Sequence, residues 1–343
     1  MGLKSEIRRF HEKTSRTNRK DLIAHWDEEE LYRGEIKDVF SLIFRTKGCY
    51  RSYTSGCSMC GYYTDTNPEI KREDIEDQLE EGLSHYEGQD IVKIYTSGSF
   101  LDEDEIDDEL AIKILESFDA EKTVIETRPE FVERERVEKL SQTVDELELA
   151  LGLESTNDFV LENCINKGFT FSDYKNSVEE ISDIVSVRTY LLLKPPFLTE
   201  KEAVKDLINS IKKISDLTDI ISINPVNVQK GTLLEELWHR ELYSPPWLWS
   251  LIEVLTSTVD LEIPIIVSKA GLGSERGAGN CEECTDKMIE LLERFNKTQD
   301  ISILKDLPQC ECKDRWRFEK EIAPFLHFRG TPKILRDRYA GYV

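Results

Sequence analysis

"DVFSLIFRTKGCYRSYTSGCSMCGYY", residues 38–63, sets a strand directly against a cysteine-rich loop. Residues 38–46 have the dense aliphatic and aromatic content of a buried strand. Behind them stand Cys49, Cys57 and Cys60 in a C-x7-C-x2-C spacing, with glycines and tyrosines between them and no histidine. Thiolates are metal ligands. A structural zinc shell closes with four, whereas three leave one position of a bound metal group open.

Outward from this stretch, strand and helix patterns take turns. "REDIEDQLEEGLSHY" has helical spacing with Ile75, Leu79 and Leu83 on one face, and "DIVKIYTSGSF" is a strand running into a Gly/Ser loop. "DEIDDELAIKILESF" is a helix, "KTVIETRPE" a strand ended by Pro129, "RERVEKLSQ" a helix and "LELALGLES" a strand. One longer helical stretch is predicted from there to about Ile181. The strand "VSVRTYLLL", the Pro195-Pro196 break, the helix "EKEAVKDLINSIKKI" and a sixth strand, "DIISINPVNV", follow. Six strands separated by helices predict an α/β fold, a partial (β/α)6 barrel of right-handed crossovers. The expected organisation is a basic helical extension over 1–37, the barrel over 38–240 and a C-terminal extension over 241–343. In such a barrel the loops at the strands' C-terminal ends form the active face. That face collects the cysteine loop, "TSGSF", "ETRPE", "LES" and "NPVNVQKGT".

With 343 residues and 39% apolar side chains the chain can bury a large core. It shows no signal-peptide pattern, and runs such as "YLLL" and "IPIIV" are too short to span a bilayer, so a cytoplasmic protein with no membrane partner is expected. Eight cysteines in a reducing cytosol read as metal ligands rather than disulfides. A net charge of −23 excludes a surface that coats nucleic acid generally. The charge is uneven, however. Residues 1–20 carry seven basic side chains against two acidic, and residues 313–338 eight against four, so basic ends flank an acidic body. The acidic run "DEDEIDDEL" is expected to be a helix start with a solvated face.

"CEEC" at 281–284 and "CEC" at 310–312 place Cys281, Cys284, Cys310 and Cys312 on either side of a predicted helix, "TDKMIELLERFNK". Four thiolates fit a closed zinc knuckle, and could equally hold an auxiliary iron–sulfur cluster. For the first set, Cys164 could complete a zinc site, although its helical surroundings suit a small core residue. The "GLGSERGAGN" before the second set has neither GK[ST] nor GxGxxG and reads as a turn approaching the active face.

A three-cysteine loop after the first strand of a partial barrel resembles the radical S-adenosylmethionine (SAM) enzymes, whose commonest spacing is C-x3-C-x2-C. The expanded first spacing here, with "TSGSF" (96–100), "ETRPE" (126–130), "LGLES" (151–155) and "RGAGNCEEC" (276–284), resembles the branch containing the elongator catalytic subunit. Over residues 38 to about 312 the chain is most similar to the radical-SAM subunits of archaeosine synthases, an archaeal tRNA-modification family. The resemblance implies a [4Fe–4S] cluster on Cys49, Cys57 and Cys60, with SAM on its open iron. It implies that Gly98 and Ser99 let backbone approach the methionine amino group, and that Glu126, Arg128 and Glu154 contact the carboxylate or ribose of SAM. An ion-pair network closing the barrel top is the plainer reading of those three. Met59 stands where the family carries an aromatic residue, with Tyr62 and Tyr63 close behind.

The resemblance further implies a substrate, a lysine-bearing 7-deazaguanine (a preQ0-lysine adduct) in the tRNA D-loop, converted to archaeosine by radical C–N bond cleavage. An archaeosine synthase alpha-type partner subunit and an electron donor protein are implied with it. Contact with tRNA is expected at the basic ends. "CKDRWRFEKEIAPFLHFRG" mixes Arg315, Arg317, Lys320 and Arg329 with Trp316, Phe318 and Phe328, which suits phosphate contact and base stacking. An amphipathic tail packed on the barrel explains the same aromatics. Two further functions stay open. One is another radical modification of a tRNA base, such as wobble-uridine carboxymethylation, for which an acetyltransferase domain is missing. The other is a non-catalytic iron–sulfur or zinc scaffold that docks tRNA.

Overall fold

The computed structural model describes residues 2–326, with side chains placed as far as 322. Helix α1 (Leu3–Lys13) precedes a hairpin of β1 (Ala24–Tyr32) and β2 (Glu35–Phe44). Strands and helices then alternate through α2 (Arg72–Leu83), β3 (Ile91–Thr96), α3 (Asp108–Glu116), β4 (Lys122–Thr127), α4 (Arg134–Ser141) and β5 (Leu147–Glu154). After α5 (Asp158–Val160) and α6 (Phe171–Ile181) come β6 (Ser186–Leu193), α7 (Glu200–Ile214) and β7 (Ile220–Pro225). The chain closes with α8 (Leu233–His239), α9 (Leu248–Ser257), β8 (Ile265–Val267), α10 (Thr285–Thr298) and α11 (Cys312–Leu326). The strands form one sheet in the order β1 to β8; β1 pairs antiparallel with β2 and every other neighbour is parallel. The predicted α/β partial barrel is therefore present, its six expected strands being β2 to β7.

Three segments differ from expectation. The segment 1–37, expected to be helical, is helical only in α1, because residues 24–32 form β1 and turn into β2 through Arg33 and Gly34. Both turn residues have positive φ, 52° and 82°, as a two-residue hairpin of the right twist requires. Strand β8 also went unforeseen, and it extends the sheet past residue 240. The long helix towards Ile181 is broken in two. Helix α5 runs into a π-turn at Leu161–Ile165, then Asn166 and Gly168 adopt left-handed conformations, φ 63° and 94°, before α6 begins. Asn and Gly at helix ends are the residues that accept that conformation.

The sheet's two faces explain why the barrel holds a site. Phe40, Leu42, Val92, Ile94, Ile125, Leu149, Leu151, Leu191 and Ile223 belong to the main core under the helices. Residues of the other parity, Val39, Ile91, Val124, Ala150 and Tyr32, form a separate small cluster inside the barrel. Interleaved with that cluster, the interior is ionic. Lys93 reaches Glu28 and Glu30, each at 2.8 Å, Arg188 reaches Glu30 and Glu148, each at 2.5 Å, and Lys122 pairs with Glu148. Burial works against the charges of Glu30, Lys93 and Arg188. Arg188 and Lys93 nevertheless hold the Glu30 carboxyl well below the usual carboxylate range. A network this enclosed survives only because each charge has a partner. It plugs the lower barrel and leaves the mouth above it polar.

The free edge of β8 is covered by side chains. Asn296 of α10 accepts from Val267 N–H (2.9 Å) and donates to its carbonyl (2.8 Å), while Gln299 does the same with Ile265 at 2.9 and 3.1 Å. Lys297 of the same helix pairs with Glu29 on β1 at 2.5 Å. Helix α10 thus links the two edge strands of the sheet.

Candidate functional site

The cysteine loop leaves β2 and is tied to three other strand-end loops. Cys49 N–H donates to the Ser97 carbonyl (3.3 Å) after β3, and Ser58 donates from N to Ile165 O (2.9 Å) and from Oγ to Cys164 O (2.6 Å) after β5. The Asn166 amide donates to Gly56 O at 2.6 Å, and Arg51 donates back to Asn166 O at 2.8 Å. Gly61 N–H donates to Gln229 Oε1 (2.6 Å) in the loop after β7. The first residues of the chain lie across the outside. His11 stacks on Tyr63 at 4.0 Å between ring centres, and its imidazole fills the space a side chain at Gly56 would need.

Cys57 is buried, and Cys49 and Cys60 are half-buried. Burial raises the Cys49 thiol, opposed by the Arg128 guanidinium. Burial, then the neighbouring Cys57, pushes Cys60 up to about 12. Thiols this reluctant to ionise become thiolates only with a positive group bound among them, which suits metal ligands. Cys164, the alternative fourth ligand, is a buried member of the main core.

Arg128 and Lys167 face the thiols. The Arg128 charge acts on Cys49 and Cys57, and that of Lys167 on Cys57 and Cys60. Arg128 is bound to Glu130 (2.6 Å) and to the Lys167 carbonyl (2.7 Å), while Lys167 Nζ is 2.6 Å from Glu154. Glu154 itself sits at a bulge at the end of β5 with φ 75°, a backbone cost that sites tolerate when geometry is at a premium. Glu126, on the inner face of β4, is half-buried; its carbonyl accepts from Phe100 N–H at 2.9 Å, while its carboxyl makes no hydrogen bond or ion pair among the described residues. Burial, then the Glu154 carboxylate, raises it to about 7 against the pull of Lys167. An ion-pair network does exist at the barrel top, but Glu126 stands outside its contacts.

Gly98 and Ser99 lie in the loop after β3, next to a residue the sequence left unremarked. Ser99 N–H donates to Glu105 at 2.9 Å, Thr46 donates to the same carboxyl, and a methyl group at Gly98 would overlap it. The Ser99 hydroxyl accepts from Arg128 N–H at 3.1 Å. Glu105 is buried, and burial raises it to about 8. The acidic run 102–110 is therefore not uniformly a solvated helix start. Asp107 caps α3, but Asp102 and Glu105 point inward and brace the loop. Lys167 and Glu105 are the site residues sequence reading missed. "NKG" marks the helix break that turns the buried Lys167 towards the thiols, whereas nothing local separates Glu105 from its acidic neighbours.

The second cysteine group is closed. The sulfurs of Cys281, Cys284, Cys310 and Cys312 all lie within 4.8 Å of one another, with Cys281 3.6 Å from Cys284 and 3.2 Å from Cys310. That spacing suits one tetrahedral ion with arms of about 2.3 Å. Helix α10 starts at Cys284 and α11 at Cys312, so two helix N-termini face the thiolates. Trp249 Nε1–H donates to Cys312 Sγ at 3.2 Å. The "GLGSERGAGN" turn lies between the two sites; Arg276 in it reaches the Val228 carbonyl (3.2 Å) and Glu235 (2.8 Å).

The basic C-terminal segment behaves as a packed helix as far as it is described. Trp316 is buried and donates to Ser250 Oγ at 2.9 Å, and Lys320 pairs with Glu253 at 2.6 Å. Phe318 is exposed, and Phe328 and Arg329 lie outside the described residues. Among the described residues no helix is long and apolar enough to cross a membrane.

Comparison with known proteins adds three findings. The radical SAM superfamily model matches residues 43–208. Archaeosine synthase subunit beta of Methanosarcina acetivorans is 40% identical over 340 residues, 95% of this chain and 97% of its own. The protein of the same name from Thermococcus kodakarensis is 40% identical over 314 residues, 86% of this chain and 96% of its own. Among solved structures, the archaeal Methanocaldococcus infernus Elp3 aligns with a TM-score of 0.47 at 20% identity, over 66% of this chain and 58% of that one.

Proposed function

The chain belongs to the radical SAM superfamily and, within it, to the family of archaeosine synthase beta subunits, and on that premise we propose the reaction it carries out. It is a radical SAM enzyme of archaeosine tRNA modification. Its substrate is a 7-deazaguanine carrying lysine through an amidine nitrogen, delivered in tRNA by a partner subunit. Breaking the bond between that nitrogen and the lysine side chain leaves the formamidine of archaeosine. The observation that carries this reading is the trio of Cys49, Cys57 and Cys60, faced by Arg128 and Lys167 at the mouth of the barrel.

Those three thiolates would hold a [4Fe–4S] cluster, and the residues fit: three soft ligands from one loop and two cations to offset their charge. When bound, the cluster with SAM supplies a carbon-centred radical that removes hydrogen from an unactivated position. This chain's own residues position and enclose. Carbonyls of the 97–99 loop and Glu126 offer acceptors to an ammonium or ribose hydroxyls, and Lys167 offers a cation to a carboxylate. Glu105, protonated at neutral pH by its burial, locks the cysteine loop to the Ser99 loop without adding a charge beside the thiolates. The ionic plug below excludes water from beneath the mouth. Cys281, Cys284, Cys310 and Cys312 would hold one zinc ion in a structural role. An electron donor protein would reduce the cluster at the mouth.

Anaerobic reconstitution with iron and sulfide tests the reading. The product 5′-deoxyadenosine should form from SAM under reduction, and nucleosides from adduct-bearing tRNA should contain archaeosine by mass. SAM cleavage by an iron-free preparation, or archaeosine formation independent of Cys57, would overturn it.

A further inference from the structure

Of the five large exposed aromatic side chains among the described residues, three gather at one place on this acidic protein, apart from Trp26 on β1 and Phe318 on α11. Tyr50, Tyr53 and Tyr62 are 42%, 50% and 56% exposed, and all three belong to the cysteine loop. Two of them are held still. The Tyr53 hydroxyl donates to the Lys47 carbonyl at 2.5 Å, and the Arg16 guanidinium lies 4.0 Å from its ring centre. Arg16 is itself fixed by bonds to Ser52 (2.7 Å) and Thr66. The Tyr50 hydroxyl donates to Glu130 at 3.0 Å, and its ring meets Phe131 edge-on at 5.7 Å. Rings tied at the tip and backed on one side present a flat face whose ordering entropy is already spent. Tyr62 is the innermost of the three, close enough to Cys60, Glu126 and Glu154 to feel their charges.

The charge around these rings departs from that of the body. Lys13, Lys47 and Lys230 are exposed and make no ion pair among the described residues. Lys47 holds the Tyr53 hydroxyl, the Lys230 carbonyl packs on Gly61, and Lys13 follows His11, which covers Gly56 and Tyr63. The acids nearby are Glu130, committed to Arg128 and Tyr50, Glu154, committed to Lys167, Glu126 behind Tyr62, Glu105 buried behind Tyr53, and Asp65, which is exposed. Separate aromatic faces among lone lysines match unstacked bases on a phosphate backbone better than a protein surface.

We propose that Tyr50, Tyr53 and Tyr62 form a stacking rim for the unpaired bases of an RNA loop on either side of the nucleotide being modified, a role that rests on tRNA being the substrate. The strap of residues 11–16 holds the rim in shape. The RNA loop approaches over the cysteine loop, and the target base passes Tyr62 into the mouth.

Fluorescence anisotropy tests this with the reconstituted chain, a short single-stranded RNA and a duplex of the same sequence. The single strand should bind more tightly than the duplex. Tyr53→Ala should weaken single-strand binding roughly tenfold, as loss of one stacked base does, while Tyr53→Phe stays within about twofold and Phe318→Ala has no effect. Unchanged visible absorbance shows that the loop is intact in each variant. Tyr50→Ala replaces any variant that loses it. Absence of single-strand binding by the wild type, preference for the duplex, or equal binding by Tyr53→Ala and Tyr50→Ala overturns the proposal. SAM cleavage without RNA reports on the proposed enzyme instead: its absence in a chain whose RNA binding depends on Tyr53 would sink the reaction and leave the rim standing.

Discussion

The two cysteine groups use the same atom for opposite ends. At Cys281, Cys284, Cys310 and Cys312 four sulfurs converge within 4.8 Å, two helices begin on them, and Trp249 donates to one of them. At Cys49, Cys57 and Cys60 the loop is held largely by its neighbours' backbone, and two cations face the thiols from other strand ends. The first group closes its own shell and fixes a fold. The second is held by the fold and keeps one side free. Reactivity here follows from what positions the thiols rather than from how many there are.

The largest expected effect falls on the open group. Cys57→Ala should lower SAM cleavage below detection while circular dichroism and melting temperature stay near wild type, since Cys57 is one small side chain in a main core built mostly of larger aliphatic and aromatic ones. A variant that unfolds would erase the distinction between the two sites. Next, Cys310→Ser should lose its zinc and destabilise the protein by about 3 kcal/mol or more, a melting shift of roughly 3–10 °C, read by calorimetry and metal analysis. About four irons on the remaining cysteines should survive it in whatever protein stays folded. Wild-type protein carrying about eight irons and no zinc would instead make the two sites alike.

Smaller effects probe the supports. Trp249→Phe removes the donor to Cys312 and should weaken zinc binding about tenfold in a chelator competition, with no change in iron content. Glu105→Gln concerns the loop side. Its carboxyl, 4.5 in the ordinary range and about 8 here, holds its proton more firmly folded than unfolded. Between those values the folded state binds more protons, so wild-type stability falls as pH rises, at most by about 1.4 kcal/mol per pH unit. The glutamine variant should show a flatter profile from pH 6 to 8 in urea titrations. An unaltered slope would mean that Glu105 does not brace the loop as a neutral acid.

Much of this was legible in the sequence, for stated reasons. The strands β2 to β7 announce themselves as apolar runs, and both cysteine groups by spacing. Strand β1 was not legible because its inward residues, Glu28 and Glu30, are acids whose partners Lys93 and Arg188 lie far along the chain. An alternation that ends in buried ion pairs looks like a solvated segment. The same blindness hid Glu105 within its acidic run, and it placed Trp316 among RNA contacts when it fills the core. Charge read along a chain says nothing about which charges meet across it.

Helix α10 carries a consequence beyond the cysteine group it starts from. By answering the N–H and C=O groups of Ile265 and Val267 with its own amides, it occupies the row that another chain's strand would otherwise zip onto. Zinc loss would then do more than loosen a knuckle. It would uncover a template for edge-to-edge association, and the first sign in a concentrated, metal-stripped preparation would be turbidity that grows with protein concentration while much of the barrel remains folded.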